Sequence, residues 1–122
     1  IGAKYKILNT QSIQKKIKKD NSAVISFGGG DYNGKTILKK EWIDKSISPS
    51  PTNLEYGYMW WLNKRKGEDY WNGVHENVYY GAGFGGNYIV VIPENKIVIV
   101  ARWMGRGTIG KFVKMILEAD SN

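Results

Sequence analysis

The sequence predicts an α+β fold in which an antiparallel sheet is flanked by helices. Two apolar runs, 88–92 and 97–101, are joined by the short connection 93–96, as in a hairpin. A helical period follows at 109–117. Strands and helices are segregated along the chain, which favours α+β over alternating β-α units. With 122 residues, of which 42% are hydrophobic, we treat residues 1–122 as one small domain or a piece of a larger one.

The two apolar runs predict strands at 87–92 and 97–104. Neither run alternates polar and apolar residues, so both faces of their sheet need cover. A ring-rich segment, 56–62, predicts a third strand, with Trp60 and Trp61 on opposite faces. A polar loop is expected at 63–69, and the N-terminal segment could extend the sheet.

Apolar spacing places the helices. The closing helix is predicted from residues three and four apart: Ile109, Phe112, Val113, Ile116 and Leu117. Another helix is predicted over 39–48, because Pro49 and Pro51 follow it and proline restricts the preceding residue. A weaker pattern predicts a short helix at 10–20. Residues 23–27 fit a strand or a helix end, and 28–34 is a glycine-rich loop.

Composition excludes several kinds of site. The chain has no cysteine and one histidine, which excludes disulfides, thiolate nucleophiles and sites that need two imidazoles. We expect no metal and no cofactor. No apolar run approaches the roughly 20 residues of a membrane span. No secretory signal is visible in residues 1–20, and a chain that starts at Ile1 is expected to be processed, trimmed or partial.

The net charge of +7 is concentrated near the N-terminus, where residues 1–45 hold ten lysines and four acidic residues. Phosphate contacts with nucleic acid are one interpretation. Since no nucleic-acid-binding motif accompanies the lysines, a solvated basic face is preferred.

Aromatic content is high, with five Trp, eight Tyr and three Phe. Four tryptophans could form a ligand-stacking platform: Trp60, Trp61, Trp71 and Trp103. Core and interface packing is the preferred interpretation.

Short motifs match three catalytic patterns. Gly29–Thr36 satisfies the phosphate-binding pattern GxxxxGK[ST], but the strands come as a hairpin and not as a parallel sheet, so a glycine-rich turn before a helix is preferred. Ser12 and Lys15 fit SxxK, and Tyr70–Asn72 fits YxN. Lys15 lies among other lysines, which favours a solvated face over a buried base.

His75 is interpreted as an exposed loop histidine, because no nearby serine or second carboxylate completes a site.

Four segments in order resemble the serine β-lactamase-related family, which includes class C β-lactamases, penicillin-binding proteins, DD-peptidases and related esterases. They are YNGKTIL at 32–38, EW at 41–42, GYMWWL at 57–62 and YGAGFGGNYIVVIPE at 80–94. The resemblance covers about residues 27–117 and does not extend to the basic segment 1–26. It implies the C-terminal part of that family's α/β domain, and an extracytoplasmic location.

The resemblance also implies where substrate would lie. The family's third motif, on the strand flanking the substrate, falls at Gly81, Ala82 and Gly83. This chain departs from the motif: position 81 has no cationic or imidazole group and position 82 no hydroxyl. Ser12 and Lys15 stand too close to the YNGK segment to be the family's nucleophile motif, and Tyr70–Asn72 is out of order. We therefore assign no catalytic residue.

The expected function is that of the C-terminal segment of a β-lactamase-related serine hydrolase, acting on acyl esters, amides or peptidoglycan-like peptides and inactive alone. Its expected partner is a second copy, or the N-terminal portion of the same hydrolase. The alternative is a non-catalytic binding module that uses an aromatic-rich sheet surface.

Overall fold

A computed structural model describes residues 4–9, 30–32, 34–65, 68–69 and 71–121. Two α-helices are found in these ranges: α1 (Lys40–Ser46) and α2 (Arg106–Asp120). The strands are β1 (Lys4–Asn9), β2 (Asp31–Tyr32), β3 (Lys35–Thr36), β4 (Trp61–Leu62), β5 (Lys64–Arg65), β6 (Glu68–Asp69), β7 (Tyr79–Gly83), β8 (Asn87–Ile92) and β9 (Ile97–Arg102).

The main sheet has five strands in the order β1-β9-β8-β7-β4, and every neighbouring pair is antiparallel. Two small hairpins, β2-β3 and β5-β6, lie outside it. The predicted α+β class is therefore confirmed. The N-terminal segment does extend the sheet, because β1 pairs along the whole length of β9.

Strands β8 and β9 form the predicted hairpin, with Val90 opposite Ile99. The connection closes with the Lys96 amide donating to the Pro93 carbonyl at 3.2 Å. Strand β9 ends at Arg102, two residues before the predicted end, because Trp103 has a φ of 59° and turns the chain out of the sheet.

Helix α2 packs on one face of the sheet and closes the hydrophobic core. Its buried residues are Ile109, Val113 and Ile116, as the spacing predicts. They join the alternate residues of the central strands in one cluster, which includes Tyr80, Tyr88, Val90, Ile92, Ile97, Ile99 and Ala101. Burial of these apolar side chains, at about 25 cal/mol per Å² removed from water, is the main favourable term for this layer.

The opposite face of β8 and β9 is covered in part. Val91 and Val98 are buried, whereas Ile89 and Val100 are exposed opposite each other. The expectation that both sheet faces are covered therefore holds at the inner positions Val91 and Val98, and it does not hold at Ile89 and Val100. Self-association through the exposed positions stays a prediction.

The predicted strand 56–62 is wrong in most of its length, since only Trp61–Leu62 pairs with β7. The Gly57 amide donates to the Trp60 carbonyl at 2.9 Å, and Met59 has a φ of 69°, so the chain turns before it becomes extended. A side chain at Gly57 would lie 2.1 Å from the Ser46 carbonyl oxygen, which shows how closely this turn packs on α1.

Other boundaries also differ. The predicted helix 39–48 forms as α1 at 40–46, and the predicted loop 63–69 contains the hairpin β5-β6. Strand β7 was not predicted from the local pattern, because two glycines interrupt it, and only the family resemblance implied a strand at 81–83. The predictions for 10–20 and 23–27 lie outside the described residues.

Buried Asn63 ties the loop 71–78 to the end of β4. Its Nδ2 donates to the carbonyls of Val74 at 2.9 Å and His75 at 3.0 Å, and its Oδ1 accepts the Trp71 amide at 2.9 Å. A buried side chain with three hydrogen bonds is satisfied. It therefore sets where Trp71 enters the core.

Candidate functional site

Strand β7 carries the three residues expected to flank substrate, and none of the described strands pairs with its outer edge there. Strand β4 pairs only with Tyr79 and Tyr80, so the pairing stops before Gly81. The Asn63 amide donates to the Val78 carbonyl at 2.9 Å. Because antiparallel bonds alternate with a period of two residues, Tyr80 and Ala82 direct their backbone groups to that same edge.

Ala82 is exposed, and no described strand pairs with its outward N–H and C=O groups. An unpaired strand edge of this kind accepts an extended peptide by backbone hydrogen bonding. Gly81 lies across from Trp60, whose Cζ3 is 4.0 Å from the place a Cβ would take at position 81. The edge therefore offers backbone groups beside an indole, and no side-chain cation, imidazole or hydroxyl from positions 81–83.

The serines in the described ranges are not placed as nucleophiles. Each hydroxyl donates to a backbone carbonyl oxygen: Ser46 to Ile43, Ser48 to Asp44, Ser50 to Asn53 and Ser121 to Leu117. Lysine side chains whose burial is described are exposed, so none of them is a desolvated base. Ser12, Lys15 and Tyr70 lie outside the described residues.

His75 lies on the surface, as predicted, but it has a carboxylate neighbour that sequence reasoning missed. Its Nε2 is 2.8 Å from Oε2 of Glu94, which belongs to the β8-β9 connection. Asn77 donates to the other oxygen of Glu94 at 3.1 Å. Nothing in the sequence signals this contact, because only the sheet register brings the two loops together.

An exposed ion pair between Lys64 and Glu76 lies beside this contact. Lys64 Nζ donates to Oε2 of Glu76 at 2.7 Å, and this hydrogen bond and positive charge lower the pKa of the Glu76 carboxyl. Among the described residues, no group of three His, Asp or Glu side chains could hold a metal ion. These exposed pairs thus have the character of surface contacts, which contribute little to stability.

The described part of the segment with the phosphate-binding pattern contains a hairpin formed by Asp31–Tyr32 and Lys35–Thr36. Asp31 pairs with Thr36, and the Thr36 hydroxyl donates to the Asp31 carboxylate at 2.7 Å. Helix α1 begins only at Lys40. The preferred interpretation, a glycine-rich turn before a helix, agrees with this geometry.

An aromatic cleft of about 770 Å³ opens between the end of β7, the turn 84–86 and the start of α2. The rings and the cation that line it include Trp61, Trp71, Tyr80, Tyr88, Trp103 and Arg106. Trp60 lies on the other face of the sheet, against Tyr79, with ring centroids 5.0 Å apart. Of the four tryptophans singled out in the sequence, three therefore meet at one cleft, together with an arginine that sequence reasoning did not select.

A separate aromatic pair lies on the surface near α1. Trp42 and Tyr58 stack with ring centroids 5.7 Å apart and planes 12° apart, and both rings are exposed. Lys45 Nζ lies 5.8 Å from the centroid of the Tyr58 ring.

Neither described helix is both long and apolar enough to cross a bilayer. Comparison of the sequence with protein-family models and with curated proteins finds no match.

Proposed function

We propose that this chain is the sheet-and-helix portion of a β-lactamase-related serine hydrolase acting on acyl esters, amides or peptidoglycan-like peptides. In this proposal the chain supplies the strand that flanks the substrate, and the nucleophile comes from another part of the enzyme. The open edge of β7 at Ala82 carries the proposal, because it presents unpaired backbone groups where the resemblance puts substrate.

The chemistry of acyl transfer explains why such an edge is useful. An extended acyl-peptide can pair with a strand edge through its own amides, which fixes the scissile carbonyl in one orientation. A backbone N–H aimed at the carbonyl oxygen also stabilises the negative charge that develops there. Ala82 offers one N–H and one C=O at this edge, so it could serve either purpose.

Turnover also needs a nucleophile and a base within hydrogen-bonding reach. The described serines donate to backbone carbonyls, and no described serine lies beside a buried lysine. Removal of a nucleophile or its base typically reduces the rate by a factor of ~10⁴–10⁶. We therefore expect no turnover by the isolated chain.

Active-site labelling tests the proposal. The isolated chain is incubated with a fluorescent penicillin and with a fluorophosphonate, and no label is expected. The native polypeptide carrying this segment, captured from its source cells with an antibody to residues 30–121, is expected to be labelled on a serine outside those residues. An unlabelled native polypeptide would refute the family assignment. Labelling of Ser12 in the isolated chain would refute the proposal that the nucleophile comes from another part of the enzyme.

A matched pair of variants at position 82 tests the strand edge in the labelled native polypeptide. Ala82→Pro removes the outward N–H, whereas Ala82→Val keeps it and changes only the side chain. Slower labelling in the proline variant alone supports the edge as the substrate strand. Equal labelling rates in both variants would contradict it.

The second candidate is a non-catalytic binding module. The aromatic cleft favours this candidate, because convergent rings with a cation are typical of ligand sites. In that case the native polypeptide takes no label and the cleft still binds its ligand.

A further inference from the structure

The base of the aromatic cleft is apolar and belongs to the hydrophobic core, because Trp71, Tyr80 and Tyr88 are only 6–7% exposed. Trp71 and Tyr80 stack on each other with ring centroids 4.4 Å apart and planes 26° apart. The Tyr88 ring is tilted by 48° to the Tyr80 ring, with the two centroids 6.4 Å apart. A volume of about 770 Å³ is within the range of small-molecule sites. Because these buried rings cover one another, the indole that a planar ligand can pack against is that of Trp103, which lines the cleft and is exposed.

Trp103 forms the rim, in a backbone conformation that a bulky residue rarely adopts. Its φ is 59°, and its indole lies so close to Gly85 that a Cβ there would be 2.9 Å from Cζ3. The neighbouring Met104 amide donates to the Gly86 carbonyl at 3.0 Å and holds the two loops together. The Trp103 side chain nevertheless remains 61% exposed. Backbone strain that keeps a large ring in solvent at the mouth of a cleft is a feature of ligand sites.

Tyr88 contributes a polar group that has no hydrogen-bond partner among the described residues. The residue lines the cleft and is only 6% exposed. Within the described ranges its hydroxyl makes no hydrogen bond. Since buried hydroxyls are almost always hydrogen-bonded, a polar atom of a molecule in the cleft can supply the partner of this one.

The wall of the cleft formed by α2 is positively charged. Arg106 lines the cleft, is exposed, and makes no ion pair with the described acidic residues. Gly105 provides no side-chain cap, and the first turn of the helix holds no acidic residue. The amides of Thr108 and Ile109 donate to the Gly105 carbonyl, which leaves those of Arg106 and Gly107 without an acceptor in the described ranges. Free amides at a helix start and a guanidinium together attract an anion.

We propose that this cleft binds a small planar aromatic molecule that carries an anionic group. The ligand ring packs against the exposed Trp103 indole, over the buried rings of Trp71 and Tyr80. The anionic group meets the Arg106 guanidinium and the first amides of α2, and a polar atom of the ligand pairs with the Tyr88 hydroxyl. The cleft lies on the α2 side of the sheet and is lined by Ala82 and Gly83 as well. The proposal rests on the binding-module candidate and is tested by binding of small probes, whereas the hydrolase proposal is tested by labelling of a serine.

Calorimetric titration with 2-naphthoate and its neutral analogue 2-naphthamide tests the charge. Both probes have the same ring, so we expect both to bind and the anion to bind more tightly. Arg106→Gln should weaken naphthoate binding about tenfold, the effect of one charge-assisted hydrogen bond, and leave naphthamide unchanged. Lys35→Gln removes the same charge from the β2-β3 hairpin and should change neither affinity. Absence of saturable naphthoate binding, or equal losses for both probes in Arg106→Gln, would overturn the proposal.

Two further variants test the rim and the hydroxyl. Trp103→Gly relieves the positive φ and removes the ring, so the melting temperature should hold or rise while binding of both probes weakens by about fivefold or more. A purely structural role for Trp103 predicts the reverse: a lower melting temperature and unchanged binding. Tyr88→Phe keeps the buried ring and should weaken binding while the melting temperature stays within a few degrees. Unchanged binding in Tyr88→Phe would refute the proposed hydrogen bond between the Tyr88 hydroxyl and the ligand.

Discussion

Gly110 is the position at which α2 meets the ring of Trp71. A Cβ built on Gly110 would lie 2.6 Å from Cδ1, 2.8 Å from Cγ and 3.2 Å from Nε1 of that ring. The indole is stacked on Tyr80 at 4.4 Å, so it cannot retreat freely. A Cβ built on Gly107, one turn earlier in the same helix, would have no neighbouring atom within 4 Å. The two glycines thus form a matched pair for Gly→Ala substitution.

The expected magnitude follows from two opposing terms. Alanine is favoured over glycine in a helix by up to about 1 kcal/mol, and both substitutions gain part of this. Carbon atoms pack at about 3.5–4.0 Å, so Gly110→Ala forces the ring to move by about 1 Å. Overpacking of this kind typically costs about 1–3 kcal/mol. We therefore expect Gly110→Ala to be less stable than Gly107→Ala by about 1–3 kcal/mol, which makes it less stable than the unmodified chain or close to it.

Urea unfolding followed by tryptophan fluorescence and by far-UV circular dichroism measures the difference. The free energies are compared at equal m-values, because a changed m-value would indicate a different unfolded or folded state. If Gly110→Ala proves as stable as Gly107→Ala, helix propensity alone accounts for the free energies of unfolding of both variants. The close packing of Trp71 on α2 is then refuted. The Gly107→Ala variant also controls for any general effect of alanine on the helix.

Three other outcomes are expected. Asn63→Ala removes three hydrogen bonds, two of them buried and one partly buried, and should destabilise the fold by about 2–4 kcal/mol in the same urea assay. A loss below about 1 kcal/mol would mean that water replaces them. Gly86→Ala places a Cβ 2.2 Å from the Met104 carbonyl at a φ of 77°, so it should lower the melting temperature; an unchanged value would contradict the close approach. The lowered pKa of Glu76 means that its contact with Lys64 stabilises the fold above the ordinary carboxyl pKa and is lost as the pH falls through the folded value. Glu76→Gln should thus lower the melting temperature slightly near neutral pH, less than Asn63→Ala does, and a difference that persists in acid would contradict this assignment.

The central hairpin and the closing helix could be predicted because local pattern and tertiary structure agree there. The runs at 88–92 and 97–101 and the spacing from Ile109 to Leu117 each specify one element, and the core formed where those elements bury their apolar faces. Strand β7 could not be predicted in the same way. Its two glycines carry no pattern, and it becomes a strand because β8 offers it an open edge with five paired positions.

The failure at 56–60 has the opposite cause. Aromatic residues have high strand propensity, but this segment lies against α1, where the Gly57 backbone contacts the Ser46 carbonyl. Packing between elements therefore overrides local preference. The same holds for the contact between His75 and Glu94, which joins loops that are distant in sequence.

The amino-acid sequence by itself determined the fold class, the β8-β9 hairpin, the buried face of α2 and the surplus of aromatic rings. Each is a property of neighbouring residues or of composition, so it can be recognised without knowing the path of the chain. Tertiary structure alone decided that β7 presents an open edge at Ala82, and that rings from β7, β8 and two loops converge near Arg106. Convergence depends on strand order and register, which arise when distant segments compete to bury their apolar faces and satisfy their backbone hydrogen bonds.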